Sequence, residues 1–222
     1  MSVGVSRAMK GRASLLALSL LAIPSAALAQ QFTSTESIRA LFRQGYCAVR
    51  SAPEDARKLF ATPPGSKEEA KLIRTLGAQL CGYIGFGFPS LESNPQLLRG
   101  VIAEAVLDDS RTKKGKIDPA TAPFGNLSLE AIGALDAKGQ ASLAGLDFAQ
   151  CIVAASPDGV RKLLNTNPTW DSQDKAIQQL QPYLGPCLPK GAEVSFSKLV
   201  LRGLLAEAAY RSLYFTTVAG KN

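Results

Sequence analysis

The octamer Leu98-Arg99-Gly100-Val101-Ile102-Ala103-Glu104-Ala105 returns 103 residues later as Leu201-Arg202-Gly203-Leu204-Leu205-Ala206-Glu207-Ala208. Six of the eight positions are identical, and the other two exchange one aliphatic residue for another. Arg57-Lys58-Leu59 also returns as Arg161-Lys162-Leu163 at an offset of 104. Several matches in the same order predict an internal duplication. We expect repeat 1 over residues 30–110, repeat 2 over residues 141–222 and a linker over residues 111–140.

Each repeat has the pattern of four helices. Apolar residues recur at helical spacing, and no long stretch alternates with the period of a strand. The sequence therefore predicts an all-α fold of two similar four-helix repeats, packed about a pseudo-twofold. A short helix is expected in the linker around Leu129, Ile132 and Leu135. Helix starts are predicted from capping and proline signals at Thr33-Ser34-Thr35-Glu36, Ser51–Glu54, Ser66–Glu69, Asn94-Pro95, Ser156-Pro157, Ser172, and Ser195 or Ser197. Pro182 should kink or shorten its helix.

Residues 1–29 have the three parts of a signal peptide. Arg7, Lys10 and Arg12 precede the apolar run 15–23, and Ala27-Leu28-Ala29 matches a cleavage site. The run is shorter than the roughly 20 residues that span a bilayer. We expect a periplasmic or secreted protein of a Gram-negative bacterium, with no transmembrane anchor after cleavage. Cleavage would reduce the net charge from +7 to +4, which indicates no nucleic-acid partner.

The four cysteines fall one pair to each repeat, Cys47 and Cys81 in the first and Cys151 and Cys187 in the second. A disulfide inside the ancestral unit would be copied with it, so we predict the pairs Cys47–Cys81 and Cys151–Cys187. An exported chain favours structural bridges. A redox pair or a metal site of four thiolates is the alternative, but neither has the C-x-x-C spacing.

The chain has no histidine. Catalysis that needs an imidazole base, as in Ser-His-Asp and Cys-His sites, is excluded. Histidine-ligated zinc is excluded as well. Asp108-Asp109 and the pair Asp171 and Asp174 are the only carboxylate groupings that suggest acid–base chemistry, and nothing fixes their separation. The sequence therefore predicts no catalytic residue, no cofactor and no metal ligand, and favours a non-enzymatic protein.

Arg99 and Glu104, with their copies Arg202 and Glu207, place charges inside apolar helices. Residues five apart cannot pair within one helix. Gly100 and Gly203 would permit two helices to approach closely. If the two helices run antiparallel about the pseudo-twofold, Arg99 faces Glu207 and Arg202 faces Glu104, as two structural ion pairs between the repeats. The alternative is a functional site made of a carboxylate and a guanidinium.

A glycine-aromatic loop spans residues 82–89 and contains Tyr83, Phe86 and Phe88. We expect the aromatic rings of this loop to pack against the core. The alternative is an apolar lip for a ligand or partner. Repeat 2 has no such loop, so a binding role would be unequal between the repeats.

The duplicated unit of a cysteine followed by Leu-Arg-Gly-x-x-Ala-Glu-Ala, together with the signal peptide, resembles exported proteins of alphaproteobacteria. The resemblance implies a periplasmic setting and no activity. The sequence favours an exported binding or structural protein that acts on a protein partner through its surface. The second hypothesis is a carrier or sensor of a small apolar ligand held between the repeats. An enzyme that uses carboxylates alone comes third.

Overall fold

The computed structural model describes residues 34–78, 95–108, 133–190 and 194–219. Within these ranges the chain forms helices and no strand, which confirms the predicted all-α class. The first half contains α1 (Thr35–Ser51), α2 (Pro53–Ala61), α3 (Lys67–Ala78) and α4 (Pro95–Asp108). The second half contains α5 (Ala137–Ala155), α6 (Pro157–Leu164), α7 (Asp171–Leu184) and α8 (Lys198–Ala219), with a 3-10 turn at Gly185–Cys187 after α7.

Short polar side chains begin several of these helices. The Ser34 hydroxyl accepts from the backbone N–H of Ser37, 3.1 Å away, and the Ser66 hydroxyl accepts from that of Glu69 at 3.1 Å. The Ser197 hydroxyl accepts from the backbone N–H of Val200 at 3.3 Å. Each contact satisfies a backbone donor that the first helical turn leaves without a partner.

Two predicted boundaries need correction. Ser172 does not cap α7, because this helix begins at Asp171 after Trp170, which makes no capping bond. α5 begins at Ala137, inside the range assigned to the linker, because Asp136 accepts from the backbone N–H of Gly139 at 2.7 Å. Pro182 lies inside α7, and the helix ends two residues later, which agrees with the predicted shortening.

The predicted disulfide Cys151–Cys187 is confirmed, and its two Cα atoms lie 5.6 Å apart. It ties α5 to the 3-10 turn that follows α7. The chain-entropy model gives a bridge with this separation of 36 residues about 4 kcal/mol of stabilisation.

The core is built around α4 and α8, which make the most extensive contact between helices in the described part of the chain. They cross at Gly100 and Gly203. A Cβ atom at Gly100 would collide with the Gly203 Cα atom, and one at Gly203 would lie 3.0 Å from the Gly100 Cα atom. Only glycine therefore permits this crossing.

α8 takes part in two apolar clusters. Its Ala206 and Tyr210 pack into the cluster formed by α1 to α4. Its Leu201, Leu204 and Leu205 pack into the cluster formed with α5 to α7. The two halves therefore share a core through one helix.

Several predictions fall on residues outside the described ranges. They concern the signal peptide at 1–29, the aromatic side chains of Tyr83, Phe86 and Phe88, the cysteine Cys81 and most of the linker. The Cys47–Cys81 bridge and the apolar lip therefore stay predictions.

Candidate functional site

Arg99 of α4 lies fully inside the protein, with only 2% of its side chain exposed. Its Nε atom donates to Glu207 Oε2 at 3.0 Å, and its Nη2 atom donates to Glu207 Oε1. Its Nη1 atom donates to Glu69 Oε1 at 2.8 Å. One guanidinium thus joins α3, α4 and α8.

Arg202 of α8 makes the matching contacts in the other half. Its Nε and Nη2 atoms donate to the two carboxylate oxygens of Glu104 at 2.8 and 2.5 Å. Its Nη1 atom donates to the Gln173 side-chain oxygen at 3.2 Å. Gln173 stands 104 residues after Glu69, so an amide takes the place of a carboxylate.

Both arginines also bind the carboxyl end of a short helix. Arg99 donates to the backbone oxygen of Leu59 at 3.0 Å, at the end of α2. Arg202 donates to the backbone oxygens of Leu163, Leu164 and Thr166, each at 2.9 Å, at the end of α6. The last carbonyls of a helix have no partner within it. The guanidiniums add donors at these helix ends, where the oxygens of Leu59 and Leu163 also accept from the hydroxyls of Thr62 and Thr166, each at 2.7 Å.

Glu207 is held by two guanidiniums. Besides Arg99, Arg211 donates to its Oε1 atom through Nε at 3.0 Å and through Nη2 at 2.8 Å. Burial alone would favour the neutral acid, but the two positive charges prevail and lower the pKa of Glu207 to about 2. Burial lowers the pKa of Arg211, against the opposing attraction of Glu207.

Glu104 behaves differently because only one guanidinium faces it. Burial raises the pKa of Glu104, and Arg202 only partly opposes this effect. The Asp108 carboxylate adds a repulsion that acts in the same direction as burial. Asp108 itself accepts a hydrogen bond from the Tyr46 hydroxyl at 3.0 Å. The two buried ion pairs are thus alike in geometry and unlike in electrostatics.

The structure brings Arg99 to Glu207 and Arg202 to Glu104, the two pairs that the sequence analysis matched. Glu69, Gln173 and Arg211 were not predicted from the sequence as partners of these pairs. The repeat offset carried a signal for Glu69 and Gln173, since both lie at equivalent positions. The signal for Arg211 was its position four residues after Glu207, the spacing at which opposite charges pair along one helix.

A cavity of about 350 Å³ lies between the two halves. α3 and α4 form one side of it, and α5 and α8 form the other. Its buried residues include the ion-paired Arg99, Glu69 and Glu207 and the apolar Ile73, Leu146 and Leu204. Its solvent-exposed residues are Gly65, Ala70, Arg74, Asp136 and Lys138.

The cavity is also surrounded by the beginnings of three helices. Gly65 and Ser66 line the cavity just before α3 begins. Pro95 and Gln96 line it from the first turn of α4, and Asp136 and Lys138 line it at the start of α5. The turn before α3 rests directly on the start of α5, where a Cβ at Gly139 would lie 2.8 Å from the Pro64 oxygen. Gly65 has a φ of 79°, in the region that favours glycine.

The carboxylates do not form an acid–base pair in the described parts of the chain. Asp174 accepts from Lys198 at 2.6 Å and Asp108 accepts from Tyr46, so these two carboxylates have different partners, and Asp109 lies outside the described residues. Glu69 and Glu207 both line the cavity, but both bind Arg99. A general acid or base needs a pKa near the working pH, and the pKa of Glu207 is about 2.

Comparison of the chain with protein-family models, with curated proteins and with solved structures gives no match. Within the described ranges, no helix combines the length and the apolar character that a membrane crossing requires. In the same ranges no three cysteine or acidic side chains are grouped as metal ligands.

Proposed function

We propose that the protein is an exported, non-enzymatic binding protein that holds a small molecule in the cavity between its two halves. The observation that carries the proposal is the cavity of about 350 Å³ lined by α3, α4, α5 and α8. Small-molecule sites are typically concave, mostly apolar clefts of about 300–1,000 Å³ with a few placed polar groups. The volume matches the lower end of this range, so the ligand is small.

The buried ion pairs support a preformed site. The walls of the cavity are fixed by Arg99, which ties α4 to α3 and α8, and by the contact between Gly65 and Gly139. A ligand therefore finds walls that are already in place, which reduces the entropy lost on binding.

The proposal includes the architecture and the setting predicted from the sequence. The matching contacts of Arg99 and Arg202 support two four-helix repeats about a pseudo-twofold, and the Cys151–Cys187 bridge supports a copied Cys47–Cys81 bridge. A disulfide fits an oxidising compartment such as the periplasm.

Action through a protein-binding surface has less support. The large apolar side chains that are exposed in the described parts are Trp170, Tyr183 and Val194. Trp170 and Tyr183 flank α7 at its two ends, about 20 Å apart at 1.5 Å per residue. Single exposed apolar residues are common on soluble proteins, so this distribution favours the cavity over the surface.

Native mass spectrometry of the mature protein with added 1-decanol or decanoate tests the proposal. Ala70 is an exposed residue that lines the cavity, so Ala70→Trp should fill it. Ala144 is exposed on α5 outside the lining, and Ala144→Trp is the matched control. We expect one bound molecule on the wild-type protein and on the control, and none on Ala70→Trp. Binding of neither probe to the wild type, or equal binding to both variants, would contradict the proposal.

A further inference from the structure

We infer that the cavity selects an organic acid with an apolar body, whose anionic group binds between Arg74 and Lys138. This inference rests on the proposed function, since it names the class of ligand that the same cavity takes. It follows from how the charges around the cavity are distributed.

The acidic groups of the lining already have partners. Glu207 binds Arg99 and Arg211, and Glu69 accepts from Arg99 and from the backbone N–H of Gly65 at 2.6 Å. Asp136 accepts from the backbone N–H of Gly139 at 2.7 Å. None of these carboxylates needs a cation from a ligand.

The two exposed cations of the lining have no such partners. Within the described part of the chain, neither Arg74 nor Lys138 makes an ion pair or a side-chain hydrogen bond. Arg74 belongs to α3 and Lys138 to α5, so they reach the cavity from the two different halves. An arginine and a lysine together suit a carboxylate, which can accept from both.

The start of α4 adds to this preference. Its first turn borders the cavity and holds no acidic residue, and the start of a helix carries a partial positive charge. The apolar side chains of Ile73, Leu146 and Leu204 lie on the buried side. An anion near the exposed cations would therefore place its apolar body against these three residues.

Isothermal titration of the mature protein with three probes of equal chain length tests this inference. The probes are decanoate, 1-decanol and decyltrimethylammonium, all kept below their micelle concentrations. We expect decanoate to bind about tenfold more tightly than decanol, and the cation to bind most weakly. Added salt should weaken decanoate binding and leave decanol binding unchanged, because salt screens charges at exposed sites.

Arg74→Gln and Lys138→Gln should each weaken decanoate binding by about threefold to tenfold and leave decanol binding unchanged. Lys175→Gln is the matched control, because Lys175 is an exposed lysine of α7 outside the lining. If decanoate and decanol bind equally and Ala70→Trp abolishes both, the inferred preference for an anionic ligand is refuted and the proposed function is not. No binding of any probe would refute both.

Discussion

The buried pair of Glu104 and Arg202 offers the sharpest test of how the two halves are held together. We consider the volume-conserving changes Glu104→Leu and Arg202→Met, made singly and together. Glu104→Leu leaves a guanidinium that is 1% exposed facing only neutral acceptors. Breaking a buried ion pair on one side costs about 3–5 kcal/mol.

Arg202→Met should lower the free energy of unfolding by a similar amount, for two reasons. It leaves the Glu104 carboxylate without its guanidinium, although protonation relieves part of this loss, since the pKa of Glu104 is already raised by burial. It also removes the donor to the backbone oxygens of Leu164 and Thr166, whereas the Leu163 oxygen keeps the N–H and the hydroxyl of Thr166 as donors. Each carbonyl left without a partner costs about 1–3 kcal/mol if it stays buried.

The free energy of unfolding of the double variant should be about 3–5 kcal/mol lower than that of the wild type. This loss is far smaller than the sum of the losses in the two single variants. The double variant removes both charges together, and a buried pair replaced by apolar residues of similar volume is often neutral. The backbone oxygens of Leu164 and Thr166 still lack the donor that Arg202 supplied, so the recovery is incomplete. We therefore expect a coupling energy of about 3 kcal/mol between the two positions.

Urea denaturation followed by far-ultraviolet circular dichroism measures these free energies of unfolding. Lys198 and Asp174 supply the matched control, because Lys198 Nζ lies 2.6 Å from Asp174 Oδ2 but the two side chains are 60% and 44% exposed. The same cycle at this exposed pair should give no more than about 1 kcal/mol. The reasoning is refuted if the losses of the two single variants add up to the loss of the double variant within about 0.5 kcal/mol.

Three further predictions follow from the fold. Gly100→Ala should destabilise by about 1–3 kcal/mol, because its Cβ would meet the Gly203 backbone, whereas Gly145→Ala has room and should be neutral or stabilising in the same urea assay. The folded-state pKa of Glu207, about 2, lies below the unfolded value near 4.3, so its contribution of about 3 kcal/mol is complete above that pH and lost as the pH falls toward 2. Glu207→Gln should remove this acid sensitivity from melting curves, whereas Glu104→Gln should not. Reducing the Cys151–Cys187 bridge should lower the free energy of unfolding by about 4 kcal/mol, and an unchanged melting temperature would show that the bridge constrains little.

The sequence predicted those features that repetition or a local signal encodes. The all-α class follows from apolar spacing, and Ser66 and Ser197 mark helix starts because capping is local. The Cys151–Cys187 pairing could be chosen because a duplicated unit leaves one consistent connectivity. Asp136 was missed as a helix start because the loss of repeat similarity around it suggested a linker.

The further partners of Arg99 and the cavity could not be predicted, because they depend on contacts between segments that are distant in sequence. Arg99 reaches Leu59, 40 residues away, and Glu69, 30 residues away, and no local pattern encodes either contact. The cavity is equally hidden, because four helices each contribute a few ordinary residues to its lining. Arg74 and Lys138 look like solvated surface charges until the fold places them on the same opening.

The long separation of the buried ion pairs has a consequence for the order in which the protein is made. Arg99 lies 108 residues before Glu207, and Glu104 lies 98 residues before Arg202. At a synthesis rate of about 5–20 residues per second, Arg99 and Glu104 wait about 5–20 s for their partners. During that interval Arg99 already has Glu69 of α3 as a partner, whereas burial of α4 would leave the Glu104 carboxylate without its guanidinium. The first half also lacks Ala206 and Tyr210 of its apolar cluster, so its core is completed only after α8 has been made.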